Sequence, residues 1–193
     1  VSSAKSEMRT AILLARGAMS PEAHRADAVA LGLHVPALVS DGQTVCAYVP
    51  VGSEPGSLEL VDALYRRRVR VLLPVARHDE AGAPQPLVWG EYRPGALVAA
   101  RFGLREPPAP WLAPEAVADA VLVLVPALAV DRTGVRLGRG AGYYDRSLPL
   151  ADPSARLVAV VRDDELVDHV PAEPHDVRMT HALTPTRGLI HLG

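Results

Sequence analysis

The chain has 193 residues, 49% hydrophobic and 22% charged, which is enough apolar material for one compact core and too apolar for a disordered chain. Twenty basic against twenty-two acidic residues give a formal net charge of −2, without the basic excess of a general nucleic-acid binder. The longest apolar stretch, 120–130, is interrupted by Pro126 and falls short of the roughly 20 residues that span a bilayer. Membrane insertion is therefore not expected.

Cys46 is the only cysteine, so there is no intrachain disulfide and no cysteine-based zinc site, as suits a reducing compartment. The polar first residues and the short apolar stretch 10–15, ended by Arg16, do not form a secretory signal, and a cytoplasmic protein is expected. Nineteen of the twenty basic residues are Arg and the single Lys is Lys5. That is either compositional drift or a place where an ammonium is needed.

Met8, Ile12, Ala15 and Met19 have helical spacing up to a break at Gly17. Ser20 as N-cap and Pro21 as first helical residue start a second helix through Ala28 and Leu31 towards Leu38, ended by the turn Asp41-Gly42. Residues 43–51 read as a buried strand and 52–56 as a loop. Ser57 then caps a third helix through Leu60 and Leu64, closed by Arg66-Arg67-Arg68 at the negative end of its dipole. Residues 69–75 are the next strand. The proline-scattered stretch 79–117 reads as one strand, around Leu87-Val88-Trp89, in otherwise irregular chain. Residues 119–125 form the most apolar strand, a helix starts at Tyr143, and 156–161 is a further buried strand.

Strands alternating with helices in a single domain, 1–193, give an α/β fold with a mostly parallel sheet covered on both sides. Ligands of such sheets bind beyond the carboxyl ends of the strands, which directs attention to loops 50–56 and 131–142.

The second loop holds Gly134, Gly138, Gly140 and Gly142, four of the fifteen glycines. Alternating glycines let backbone N–H groups approach an anion, the following helix N-terminus adds positive potential, and Arg136 and Arg139 supply forked donors. The pattern reads as a phosphate cradle or as a tightly turned loop whose arginines face water. It is neither a P-loop nor a dinucleotide turn. Asp145, just after it, is either a first-turn helix carboxylate or a magnesium ligand beside phosphate oxygens. His169, His175 and His181, with Pro171 and Pro174 among them, do not form a helical metal pair and read as surface residues.

The stretch from Pro126 to Asp131 together with Arg136-Leu137-Gly138-Arg139-Gly140-Ala141-Gly142-Tyr143-Tyr144-Asp145 resembles the signature of the 5-formyltetrahydrofolate cyclo-ligase family. Lys5-Ser6-Glu7-Met8-Arg9 resembles its N-terminal Lys-x-x-x-Arg, Glu54 falls where the family has a substrate-binding Glu, and the segment from Pro171 to Asp176 resembles its Pro-x-Glu-x-x-Asp. The resemblance implies a three-layer α/β/α fold and Mg²⁺-ATP-dependent conversion of 5-formyltetrahydrofolate to 5,10-methenyltetrahydrofolate, with release of ADP and phosphate. A monomer is expected.

Carried over residue by residue, it implies ATP binding by Lys5, Arg9, Arg136, Leu137, Gly138, Arg139, Gly140, Ala141, Gly142, Tyr143 and Tyr144. It implies folate binding by Val49, Glu54, Arg139, Gly140, Ala141, Gly142 and Tyr143, catalysis by Arg139 and Tyr143, and Mg²⁺ on Asp145 and Asp176. Phe102 is a further candidate beside the pterin. Ala141 stands where relatives often carry Gly or Lys, and Val130 where Phe is frequent.

Overall fold

The computed structural model describes residues 2–193. Helix α1 (Ser2–Gly17) leads through the predicted break to α2 (Pro21–Leu33), whose N-cap Ser20 accepts the Ala23 N–H at 3.1 Å. The apolar pattern towards Leu38 is split: α2 stops at Leu33 and a short α3 (Val35–Leu38) follows. Pro36 has no N–H to continue the ladder, and its ring would meet the carbonyl one turn back. Strand β1 (Thr44–Cys46) is shorter than expected, because regular pairing ends where the chain turns away over the carboxyl ends of its neighbours. Helix α4 (Leu58–Arg66), with Ser57 accepting the Glu59 N–H, and β2 (Arg70–Val75) stand as the sequence predicts.

The proline-rich stretch contains β3 (Val88–Glu91), a small hairpin of β4 (Val98–Ala99) and β5 (Arg105–Glu106), and a 3-10 segment, Pro114–Asp119. That 3-10 segment takes the first residue of the strand expected from 119. Strand β6 (Leu122–Pro126) follows, then β7 (Ala129–Asp131), β8 (Arg136–Leu137), α5 (Tyr143–Ser147), β9 (Arg156–Val160), β10 (Leu166–Val167), β11 (His181–Thr184) and β12 (Gly188–His191).

The main sheet has the order β12-β11-β9-β6-β1-β2-β3, parallel from β11 to β2 and antiparallel at both edges. From β1 the chain winds outward to β3, returns beside β1 as β6, and winds outward the other way. The gap between the ends of β1 and β6 is thus the topological switch point, where the loops diverge and leave a crevice.

Alternation along the strands sorts the core. Val45, Val71, Leu73, Leu122, Leu124, Val158 and Val160 face Leu31, Val35, Leu60, Val61 and Leu64 of α2, α3 and α4. Cys46, Leu72, Val123, Val125 and Ala159 face the other way, against Trp89, Val117 and Leu148. The second face is covered by short helical turns in place of long helices. Each buried aliphatic side chain contributes roughly 1.5–3 kcal/mol. A smaller sheet, β10-β7-β8, lies under Met8 and Ile12 of α1, which brings the N-terminal helix to the switch point. Among the described residues no helix is long and apolar enough to cross a membrane.

Candidate active site

A cavity of about 290 Å³ opens at the switch point. Every residue expected to bind ATP lines it: Lys5 and Arg9 from α1, and Arg136 to Tyr144 from the glycine-rich loop. Asp145 and Asp176 line it as well, as does Glu54, and so do Glu173 and His175 of the 171–176 motif, two residues to which the sequence assigned no site role, and Arg16, which the sequence did not single out.

A second cavity of about 170 Å³ lies alongside, largely apolar, with Tyr48, Val49, Leu73, Pro74, Leu87 and Leu104 in its walls. Val49 therefore lines this cavity alone, while Arg139, Gly140, Ala141 and Gly142 line only the first. Glu54, Pro126, Tyr143 and Tyr144 belong to both and form the shared wall. Phe102 is 91% exposed and lines neither, although Leu104 and Arg105 of the same hairpin line the second.

The positive charge of the first cavity comes from side chains. Helix α5 has only five residues, too few for the dipole expected at its N-terminus to matter. Arg136 is buried with Nη1 donating to the Pro126 carbonyl at 3.0 Å, Nη2 3.6 Å from Asp145 Oδ1, and its guanidinium over the Tyr144 ring at 5.7 Å. Burial pulls its pKa down and the Asp145 carboxylate opposes this. Its Nε is buried without a hydrogen-bond partner. Arg136 also explains Gly138, where a Cβ would sit 2.8 Å from Nη1. Arg9 Nε donates to the Gly138 carbonyl at 2.8 Å and so ties α1 to the loop.

Lys5, the single lysine, is buried, and its Nζ donates to Glu173 at 2.7 Å and Asp176 at 2.8 Å. Burial alone would lower its pKa; bonds to Asp176 and Glu173 outweigh it and the net shift is upward. The Lys5 ammonium in turn holds Glu173 below the usual carboxylate range. Asp176 is lowered too: burial opposes the shift, and the bonds from Lys5 and the Glu173 N–H prevail. His175, read as a surface residue, comes within 4.8 Å of the oxygens of Glu173 and Asp176.

Glu54 is buried on the other side, accepting the Val51 N–H at 3.0 Å and lying 3.5 Å from Arg139 Nε. Behind it runs a network that no local pattern announces. Arg16 makes a two-point ion pair with Glu165 at 2.7 and 2.8 Å and donates to the Ala127 carbonyl. Arg162 donates to the Ser53 carbonyl, Asp27 and His24 Nδ1 at 3.0 Å each. The loops after β1 and β6 are thereby held by carbonyls next to the site.

Asp131, part of the loop signature, lines neither cavity and acts as a hub. It is buried, Oδ1 accepts from Thr133 N–H, Thr133 Oγ1 and Val135 N–H, and Oδ2 from Val170 N–H. Burial would raise its pKa, but these bonds outweigh it and the net shift is downward.

The sequence profile of the 5-formyltetrahydrofolate cyclo-ligase family matches residues 1–185. A 5-formyltetrahydrofolate cyclo-ligase of Mycolicibacterium smegmatis is 60% identical over 188 residues, covering 97% of each chain. One from Escherichia coli is 30% identical over 146 residues, 75% of this chain and 79% of that one. Among solved structures, the NMR structure of the Aquifex aeolicus 5,10-methenyltetrahydrofolate synthetase superposes with a TM-score of 0.77 at 24% identity, over 97% of this chain and 92% of that one, which shows a common fold.

Proposed function

The chain belongs to the 5-formyltetrahydrofolate cyclo-ligase family, and on that premise we propose that it converts 5-formyltetrahydrofolate to 5,10-methenyltetrahydrofolate with Mg²⁺-ATP, releasing ADP and phosphate. The supporting observation is the pair of adjoining cavities, one arginine-lined and one apolar, that meet at a wall bearing a carboxylate and two phenols. The reaction needs a triphosphate and a flat heterocycle brought edge to edge, and this arrangement suits both.

An amide-like formyl oxygen is a poor leaving group. Transfer of the γ-phosphoryl group to it makes it a good one, after which N10 attacks the formyl carbon and phosphate departs. The protein supplies position and charge neutralisation. Arg9, Arg136 and Arg139 present donors to the phosphates, and Lys5, besides holding Glu173 and Asp176, adds an ammonium donor to them. Glu54, held by the Val51 N–H, would accept from the amino-pyrimidine edge of the pterin, and Val49, in the wall of the apolar cavity, would pack on its face.

Asp145 and Asp176 would hold Mg²⁺. The fit is a chemical one: these are carboxylate oxygens lining the arginine-rich cavity, and a cation, the Lys5 ammonium, already sits on Asp176 and Glu173. Bound there, the metal would neutralise phosphate oxygens during transfer.

The test mixes the purified chain with 5-formyltetrahydrofolate and follows methenyl absorbance with and without Mg²⁺ and ATP. Product that requires both additions is the expected result; folate binding without any turnover would refute the proposal.

A further inference from the structure

Closing the methenyl ring requires a proton acceptor, because N10 gives up its hydrogen as it bonds to the formyl carbon. The reacting atoms belong to both substrates, so they must meet at the wall shared by the two cavities: Glu54, Pro126, Tyr143 and Tyr144. Pro126 has no side-chain polar group. The Glu54 carboxylate is engaged by Val51 and Arg139 and faces the role of reading the pyrimidine. The Tyr144 ring lies against the Arg136 guanidinium, and burial, with Glu54 nearby, pushes its phenol pKa up.

Tyr143 differs from these. Its hydroxyl is 2.5 Å from His78 Nε2, and the two rings meet edge to face with centroids 5.7 Å apart. His78 lies in the loop after β2, exposed to solvent, and lines neither cavity itself. Imidazole is the side chain best suited to take up a proton near neutrality. Here it is reached from the shared wall through one hydroxyl and opens to water behind.

We propose that His78, acting through the Tyr143 hydroxyl, receives the proton that N10 loses during ring closure; the inference rests on the cyclo-ligase reading of this site. In the step, the N10 lone pair forms the bond to the formyl carbon, and the carbon–oxygen bond to the phosphoryl group breaks with its electron pair leaving on phosphate. The N10 proton passes to Tyr143 Oη while the phenol's own proton passes to His78 Nε2. Tyr143 stays neutral, and the imidazolium releases its other proton, from Nδ1, to solvent. Tyr143 is then the catalytic residue and His78 its positioning and proton-accepting partner.

The surroundings of His78 leave this role open. Its neighbours Arg77 and Asp79 are committed elsewhere, Arg77 over the Trp111 ring at 5.2 Å and Asp79 to the N–H groups of Ala81 and Ala83. Pro84 pairs with it across the loop and carries no charge, and Tyr143 is the side chain facing it from α5.

The experiment is single-turnover kinetics of the 193-residue chain with 5-formyltetrahydrofolate and Mg²⁺-ATP, read by methenyl absorbance across pH, for the unaltered chain, His78→Phe and His78→Gln. Glutamine keeps a hydrogen bond to Tyr143 but cannot take its proton. Both variants are expected to lose about 100-fold in rate, the scale of general base catalysis, with KM for each substrate within about twofold. The unaltered chain is expected to lose rate towards acid pH; that dependence should vanish in both variants, and melting temperatures should stay unchanged. Full rate in His78→Phe would overturn the assignment. So would full rescue by His78→Gln, which would reduce His78 to a tether. If the unaltered chain itself makes no product, the cyclo-ligase reading falls, and the assignment with it.

Discussion

Replacing Arg16 with methionine tests whether the buried network behind the site is structural capital or ornament. Arg16 and Glu165 are both almost fully buried and meet through two bonds of 2.7 and 2.8 Å. Removing one member of such a pair strands a buried charge, at a cost of about 3–5 kcal/mol. Glu165 retains the Arg162 N–H at 2.8 Å and its guanidinium at 3.8 Å, which places the loss at the lower end. The Ala127 carbonyl also loses its donor, worth about 1 kcal/mol, so the sum is about 4 kcal/mol. For a chain of this length that corresponds to a drop in melting temperature of about 8–16 °C.

Thermal and urea unfolding followed by circular dichroism would measure it. Adding Glu165→Gln to the Arg16→Met background should recover at least about 1 kcal/mol, although Glu165→Gln alone destabilises, because no charge is then left stranded. A loss of less than about 1 kcal/mol for Arg16→Met, or strict additivity in the double variant, would refute the reasoning.

Asp131→Asn should cost about 1–3 kcal/mol, since an amide cannot accept on both ends and leaves a buried N–H unpaired. Because the folded Asp131 pKa is lowered, its contribution is complete above the ordinary value of 3.8 and is lost as pH falls through the lower folded value; the stability gap to Asp131→Asn should therefore close at acid pH, and a constant gap in urea titrations would contradict this. Gly134→Ala forces a side chain into φ +88° with its Cβ 2.3 Å from the Met179 carbonyl, so a loss of at least about 2 kcal/mol is expected, and an unchanged urea midpoint would show that the loop can shift. Lys5→Met should raise KM for ATP by about 10–100-fold, from the about 1.5–3 kcal/mol of a charged hydrogen bond, whereas an unchanged KM would leave Lys5 as a structural anchor only.

The sequence by itself determined the parts of this protein that rest on neighbours along the chain. Ser20 and Ser57 cap the helices they announce, β2, β6 and β9 lie in apolar runs, and glycines, arginines and tyrosines crowded together mark the glycine-rich segment, although β7 and β8 interrupt what the sequence reads as a plain loop after the most apolar strand. Of the strands of two to four residues, β1 and β3 were announced by their apolar runs, and the others left no such trace. The sheet β10-β7-β8 and the hairpin of β11 and β12 exist through pairing partners and not through periodicity of their own.

Only the tertiary structure decided how the site is wired. It places Lys5 on carboxylates 168 and 171 residues away, joins Arg16 to Glu165 across 149, and sets His78 against Tyr143 across 65. It also divides the candidate binding residues between two cavities, which spacing cannot do. A hydrogen bond between distant residues has no local signature, because its cost in chain entropy is met by the whole fold. In this chain the parallel winding about β1 and β6 brings the loops together, and the side chains that meet there acquire their partners only once the sheet has closed.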